Sequence, residues 1–307
     1  LANIVQDGRI TCPWHGACFN ASTGDIENAP AIDALPSFEL SEKDGSVYVT
    51  GEQQAIKSSR RKPNVTISGS ANTSDKVVVV GGGSAALSTV ESLRENGYKG
   101  SITMIGNEGY TPIDRTKLSK ALIDDQSKIA LRDEAWFKSG SIDFVNDEVT
   151  EVDFAAKKVS TKTGSSYSYA KLVLATGGTP KSLPLPGFKE LDNIFLLRNI
   201  PHVKAINQAI GDKNKKIVII GSSFIGMEVA NAIAKNNDVT VVGMEKAPCK
   251  CFYALDKSSY TGLRSLKLTF LSGTYYGCGS WKDLPGIIRK ERSQILHGSW
   301  GRKGRSI

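Results

Sequence analysis

The sequence predicts an α/β chain with two strand–turn–helix–strand units on parallel sheets, preceded by a short all-β segment. Three observations carry this. The stretch "KVVVVGGGSAALSTVESLRENG", from Lys76, runs an all-apolar strand into a glycine turn and then a helix. "KIVIIGSSFIGMEVANAIAKNNDVTVVGMEK", from Lys216, repeats the plan about 140 residues later. Residues 1–51 are instead short strand-like runs broken by Gly and Pro, with "SVYVT" (Ser46 to Thr50) the clearest.

With 307 residues the chain has room for about two domains and a sizeable core. Apolar residues make up 40% and charged residues 23%, a globular composition. No apolar run reaches the roughly 18 residues of a membrane span. The chain starts at Leu1 rather than Met and reads as a fragment, so a missing targeting peptide carries no weight. The net charge of +8 is local: residues 249–307 hold 11 Lys/Arg against 3 Asp/Glu, and residues 1–248 are balanced. That argues against a nucleic-acid surface on the main body. Cys12 and Cys18 lie at one end, Cys249, Cys251 and Cys278 at the other. This is no disulfide framework; it suits a reducing compartment, the cytoplasm or alternatively the mitochondrion.

The first candidate site is "CPWHGACFN". Cys12 and His15 are a soft thiolate and an imidazole three apart, followed by Gly16: half of a metal site. A zinc site would need two more ligands, and Cys249-x-Cys251 is too tight and too distant. Two unliganded loop residues are the other reading. Residues 52–75, polar and rich in Ser, Lys and Arg, read as a linker, in which "NVTIS" could pair as an edge strand.

In the first glycine unit, Gly81-x-Gly83-x-x-Ala86 has the spacing of a dinucleotide turn. Gly81 permits the tight turn, Gly83 lets the backbone approach a pyrophosphate, and Ala86 lets the helix pack close to the strand. The helix N-terminus then offers unpaired N–H groups to phosphate. Leu87, Val90 and Leu93 share its apolar face. "SITMIG" supplies the next strand, and Glu108 is placed for ribose hydroxyls, with Asn107 the competitor. In the second unit, Gly221 and Gly226 keep the outer positions while Ser223 replaces the middle glycine. Ile225, Val229 and Ile233 make the buried stripe. Glu245, after the strand "VTVV", favours the NADH ribose over NADPH, weakly because Gly243 and Lys246 flank it.

Together, "VVVVGGGSAAL", "DRTKLSKAL", "LVLATGGTPKSLPLPG" and "IVIIGSSFIGMEVA" resemble, in order and spacing, the FAD/NAD-linked reductases, with Rossmann-like three-layer folds. With "CPWHGACFN" ahead of them, the resemblance narrows to the apoptosis-inducing-factor-like branch, which carries a Rieske [2Fe-2S] domain before the reductase. It implies a partial Rieske domain at 1–51, the linker, an FAD-binding domain at 76–199 and the start of an NAD(P)-binding domain at 200–247. Residues 248–307 lie beyond the resemblance; their shift in charge, Cys and Trp suggests a misjoined basic tail, expected to be poorly ordered.

The resemblance also implies roles. Arg115 and Lys120 would contact FAD, Lys120 near the flavin ring, where a cation stabilises the anionic reduced form. Ile113 and Thr116 stand where the family commonly has Tyr and Pro. A solvated basic stretch is the alternative for Lys117 and Lys120. "LVLATGG" would be a buried strand whose end, Ala175, Thr176 and Gly177, passes close to the FAD. Glu228 matches a glutamate facing the nicotinamide. Cys12 and His15 match one of the two Rieske boxes, and the other, of the form C-x-H, would lie upstream of Leu1. A family segment that holds the flavin ribitol is missing after Pro248, so weak FAD binding is expected. Residues 19–248 contain no cysteine, which disfavours disulfide-reductase chemistry.

The activity implied is FAD-dependent oxidoreduction: NAD(P)H gives a hydride to FAD, and electrons pass on to a [2Fe-2S] centre or an external acceptor not identified by the residues. The alternative is a cofactor-binding, apoptosis-related signalling protein acting through partners or nucleic acid. Homo-oligomerisation stays open.

Overall fold

The computed structural model describes residues 3–13, 15–58, 60–66, 72–212, 214–243, 266–270 and 294–297. The chain divides into two compact units, residues 1–109 with 133–176, and 110–132 with 177–307. Residues 110–132 and 177–199 thus group with the second dinucleotide unit, although the sequence reading assigned them to the first.

The first unit opens with four short strands, β1 (Asn3–Gln6), β2 (Arg9–Thr11), β3 (Cys18–Asn20) and β4 (Ile26–Asn28), paired antiparallel in that order. A hairpin follows, β5 (Glu39–Lys43) with β6 (Ser46–Thr50), turning through Asp44 and Gly45, both at positive φ. Residues 52–75, expected as a linker, contain a helix, α1 (Gln53–Ser58). Arg61 then bridges to Ala34 and bonds Asp25 and the Thr23 carbonyl, so this segment is tied to the small β domain. In the "NVTIS" stretch Val65 is buried, and its last two residues fall outside the described set.

β7 (Asn72–Val80), α2 (Ser84–Glu95) and β8 (Gly100–Gly106) form the first strand–helix–strand crossover. The chain returns from the other unit with α4 (Glu134–Ser139), then β9 (Ile142–Asn146), the antiparallel meander β10 (Val149–Asp153), β11 (Lys158–Thr161) and β12 (Ser166–Ser168), and β13 (Lys171–Leu174). The parallel sheet has the order β13-β7-β8-β9. Alternation along β7 sends Val78 and Val80 into a cluster with Ile105 and Val159 of the meander. α2 packs on β7 and β8, making the expected three layers. Its buried residues include Ala86, Leu87 and Val90, while Leu93 is half-buried. Buried Arg94 donates to the carbonyls of Gly140, Tyr98, Gly100 and Ser141, so four strand- and helix-end acceptors share one cation.

The expectation that "LVLATGG" is a buried strand is corrected. β13 is the edge of the sheet, and Leu174 is 57% exposed.

The second unit holds α3 (Thr116–Ala121), β14 (Ile194–Leu196), α5 (Ile200–Ile210), β15 (Lys216–Ile220), α6 (Phe224–Ile233), β16 (Asp238–Gly243), β17 (Leu266–Phe270) and β18 (Gln294–His297). Its sheet is wholly parallel, in the order β14-β18-β15-β16-β17. β15 lies inside it with four consecutive buried residues, Ile217 to Ile220, the burial on both faces that an all-apolar run signals. Ile206, Ile217, Ile219, Val229, Ala230 and Ile233 lie in one core cluster between α5, α6 and the sheet. β17 and β18 belong to the stretch 248–307, where the sequence reading expected a poorly ordered tail; these two segments pair as strands. No helix among the described residues is long and apolar enough to cross a membrane.

Candidate functional site

In the first unit the glycine turn closes as its spacing requires. Gly81 has φ +141, and its N–H donates to the Ile105 carbonyl at 2.7 Å. A Cβ there would lie 2.1 Å from the Ala175 carbonyl oxygen, so only glycine lets β7 and β13 finish side by side. Gly83, the N-cap of α2, has open space where its side chain would be. That open space adjoins the N-terminus of α2, where a phosphate could approach. Ala86 is fully buried in the first turn of α2. Glu108 lies two residues beyond the end of β8 and is half-buried. The structure therefore brings Gly81, Gly83, Ala86 and the Ala175–Thr176 backbone to one end of one parallel sheet.

The second unit contains the other turn. Gly221, at φ +112, follows β15, and Gly226 is the third residue of α6. A Cβ on Gly226 would come 2.0 Å from the Gly221 carbonyl oxygen, which accounts for glycine there. Ser223 is the exposed N-cap of α6 and makes no side-chain cap bond. Glu245 lies outside the described residues, and the nucleotide preference it was to decide stays an expectation.

Two further constellations sit in this unit. Lys120, in the last turn of α3, places Nζ 2.8 Å from Glu228 Oε1 on α6. The side chains are 43% and 27% exposed, so the pair is reachable from solvent and not a buried strut. Lys120 is exposed, as in the solvated alternative, and its ammonium also has a carboxylate partner. Arg115, just before α3, donates from Nη1 to the Arg198 carbonyl at 2.9 Å. Arg198 Nη2 in turn lies 3.1 Å from where a Gly177 Cβ would stand, and Gly177 has φ +71. The Arg198 guanidinium thus stands at the start of the segment after Thr176, and Arg115 holds the Arg198 backbone.

Sequence reasoning missed Arg198 and Ser119. Arg198 follows β14 with no motif around it. Ser119 donates to Glu228 Oε2 at 2.6 Å, a contact spanning 109 positions that no local spacing could reveal.

At the candidate metal site, Cys12 and His15 stand on the tight turn between β2 and β3. The Cys12 N–H donates to Ala17 O at 2.8 Å and Gly16 N–H to Cys12 O at 3.0 Å, with Gly16 at φ +76. Cys12 is half-buried and His15 exposed. Among the described residues no group of three or more His, Cys, Asp or Glu could hold a metal. The donor types suit a Rieske centre, one to each iron, but their number is half of what the cluster needs.

Comparison with known proteins finds two family models along the chain. Residues 75–257 match the model of the pyridine nucleotide-disulphide oxidoreductases, extending a little past Pro248, and residues 2–39 match the Rieske [2Fe-2S] domain. Human apoptosis-inducing factor 3 is 37% identical over 258 residues, covering 82% of this chain and 42% of the relative. Rubredoxin-NAD(+) reductase of Pseudomonas putida is 34% identical over 56% of this chain and 45% of its own. Among solved structures, the ferredoxin reductase for the CYP199A2 system of Rhodopseudomonas palustris superposes with a TM-score of 0.58 at 31% identity, covering 64% of this chain and 50% of the other. The chain spans less than half the length of the curated relatives it matches. On the evidence of its two glycine turns, its parallel sheets and the match over most of its length, the chain belongs to the pyridine nucleotide-disulphide oxidoreductase family, with Rieske sequence ahead of the reductase region.

Proposed function

We propose that this chain is part of an FAD-dependent NAD(P)H oxidoreductase that passes electrons to a Rieske [2Fe-2S] centre or to an external acceptor. The observation that carries the reading is the Lys120–Glu228 pair. The residue expected beside the flavin and the residue expected beside the nicotinamide, 108 positions apart, meet at 2.8 Å. When bound, FAD supplies the junction between a two-electron donor and one-electron acceptors.

The chain's own residues bind and orient. In this reading Gly81, Gly83 and Ala86 admit the FAD pyrophosphate at the N-terminus of α2, and Glu108 accepts from ribose hydroxyls. Ala175, Thr176 and Gly177 present backbone to the cofactor, and Arg115 is a further contact in this reading. Gly221 and Gly226 form the NAD(P)H turn, and Glu245 weakly favours NADH. Lys120 supplies positive charge where the reduced flavin carries negative charge, and Glu228 holds that ammonium in place. Names such as ferredoxin and rubredoxin reductase among the relatives support a small iron protein as acceptor. The cysteine distribution supports a reducing compartment, cytoplasmic or mitochondrial.

The test is NADH-dependent reduction of an acceptor dye by the purified chain with FAD added in excess. Dye reduction above the FAD-only rate, lost in Gly83→Glu, supports the reading. An unchanged rate in Gly83→Glu overturns the assignment of that turn.

A further inference from the structure

We propose that Ser119 is a positioning residue for the Lys120–Glu228 pair: its hydroxyl fixes the Glu228 carboxylate in the orientation that keeps the Lys120 ammonium attached. Neighbouring residues of α3 grip one carboxylate of α6 at both oxygens. Lys120 Nζ is 2.8 Å from Oε1, and Ser119 Oγ is 2.6 Å from Oε2. The hydroxyl has a single proton and two acceptors in reach, Glu228 at 2.6 Å and the Thr116 carbonyl at 3.3 Å. The shorter, charge-assisted bond takes it.

Burial makes this second contact matter. Ser119 is 6% exposed, so water cannot readily replace the donor it brings. An ion pair as exposed as Lys120–Glu228 is by itself weak, because two long side chains must be held in one geometry against solvent. A carboxylate already anchored at Oε2 has lost most of that freedom, and the lysine finds Oε1 in a fixed place. The sequence neighbours of the two partners, Leu118 and Val229, lie in apolar core clusters, so α3 and α6 are each anchored next to the contact.

The catalytic consequence rests on the proposed function, but the contact does not, so the test is done without cofactors. Lysines of the intact chain are labelled by competitive isotopic acetylation, and the rate at each lysine is read by peptide mass spectrometry. Lys117 and Lys128 serve as internal references. Ser119→Ala should label Lys120 about two- to five-fold faster, the range set by a surface ion pair of this kind. Ser119→Thr, which keeps the hydroxyl, should restore the slow rate. Glu228→Gln should accelerate Lys120 as well, and adding Ser119→Ala to it should change nothing more. The proposal is overturned if Lys120 is unaffected in Ser119→Ala, or if Thr behaves like Ala. It is equally overturned if the two changes multiply, or if all lysines accelerate together, which would make Ser119 a packing residue only. Failure of dye reduction with this labelling pattern intact would instead count against the proposed function.

Discussion

The carbonyl oxygen of Ala175 occupies the space that a side chain on Gly81 would need, 2.1 Å from its would-be Cβ. Two residues nearly a hundred positions apart thus depend on each other at the ends of adjacent parallel strands, β7 and β13. Gly83, two residues on, meets nothing within 4 Å. One glycine is required by the fold and the other is spare for it.

This contrast gives the first prediction. Gly81→Ala combines a clash with backbone and a φ of +141, and should cost about 2–4 kcal/mol, read as a fall in chemical-denaturation midpoint. Gly83→Ala, at φ −105 in open space, should stay within about 0.5 kcal/mol of the parent. Fluorescence titration with FAD should nevertheless show weaker binding in Gly83→Ala. Equal stability of the two variants would remove the structural distinction.

A second prediction concerns Lys120. Removing a partly exposed ion pair should change stability by about 1 kcal/mol at most, so Lys120→Met should fold and melt like the parent. With FAD bound, its flavin should be harder to reduce, by on the order of 20–40 mV, equivalent to roughly 1–2 kcal/mol for a two-electron couple. The direction follows from losing a cation that favours the anionic reduced form. An unchanged potential in a dye-equilibration titration would place Lys120 away from the flavin.

A third prediction is a pH effect at the end of β9. Asp147 is held below the ordinary aspartate value, first by the Thr163 hydroxyl and then by Thr161. A depressed folded-state value means a contribution to stability present above the unfolded value, about 3.9, and lost as pH falls through the folded one. Thr163→Val should raise the Asp147 value, seen in a carboxyl-carbon NMR titration. The same variant should move acid destabilisation to higher pH. A titration midpoint identical to the parent's would mean that Thr163 is not the principal donor.

Much of the fold was legible because parallel strands buried on both faces must be apolar throughout. "KVVVV" and "KIVII" could scarcely be anything else, and the glycines after them marked where each helix begins. The edge position of β13 was not legible, since an apolar run such as "LVLA" reads alike at an edge and at a centre. Nor was the helix in residues 52–75, where composition suggests a linker but Arg61 and Val65 fasten the chain. β17 and β18 carry too few residues for a periodicity to emerge. At the site, Lys120 and Glu228 could be named from motifs, whereas Ser119 became visible only once α3 lay against α6.

The last prediction concerns Cys12 and His15. The backbone of their turn is set by the Gly16-to-Cys12 and Cys12-to-Ala17 bonds. A Rieske centre nevertheless needs two thiolates on one iron and two imidazoles on the other. This turn offers one of each, and the described residues supply no larger donor group. Each iron would keep an open position, and such a cluster should be lost to solvent. Reconstitution of the 307-residue chain with iron and sulfide under anaerobic conditions should therefore give no Rieske-type absorbance or paramagnetic signal. A stable signal would mean that further ligands come from elsewhere, and Cys18→Ser would be the first variant to examine. Cys18 Sγ lies 3.4 Å from the Thr11 hydroxyl and 3.5 Å from the Gly16 carbonyl oxygen, and it is the one other thiol among the described residues.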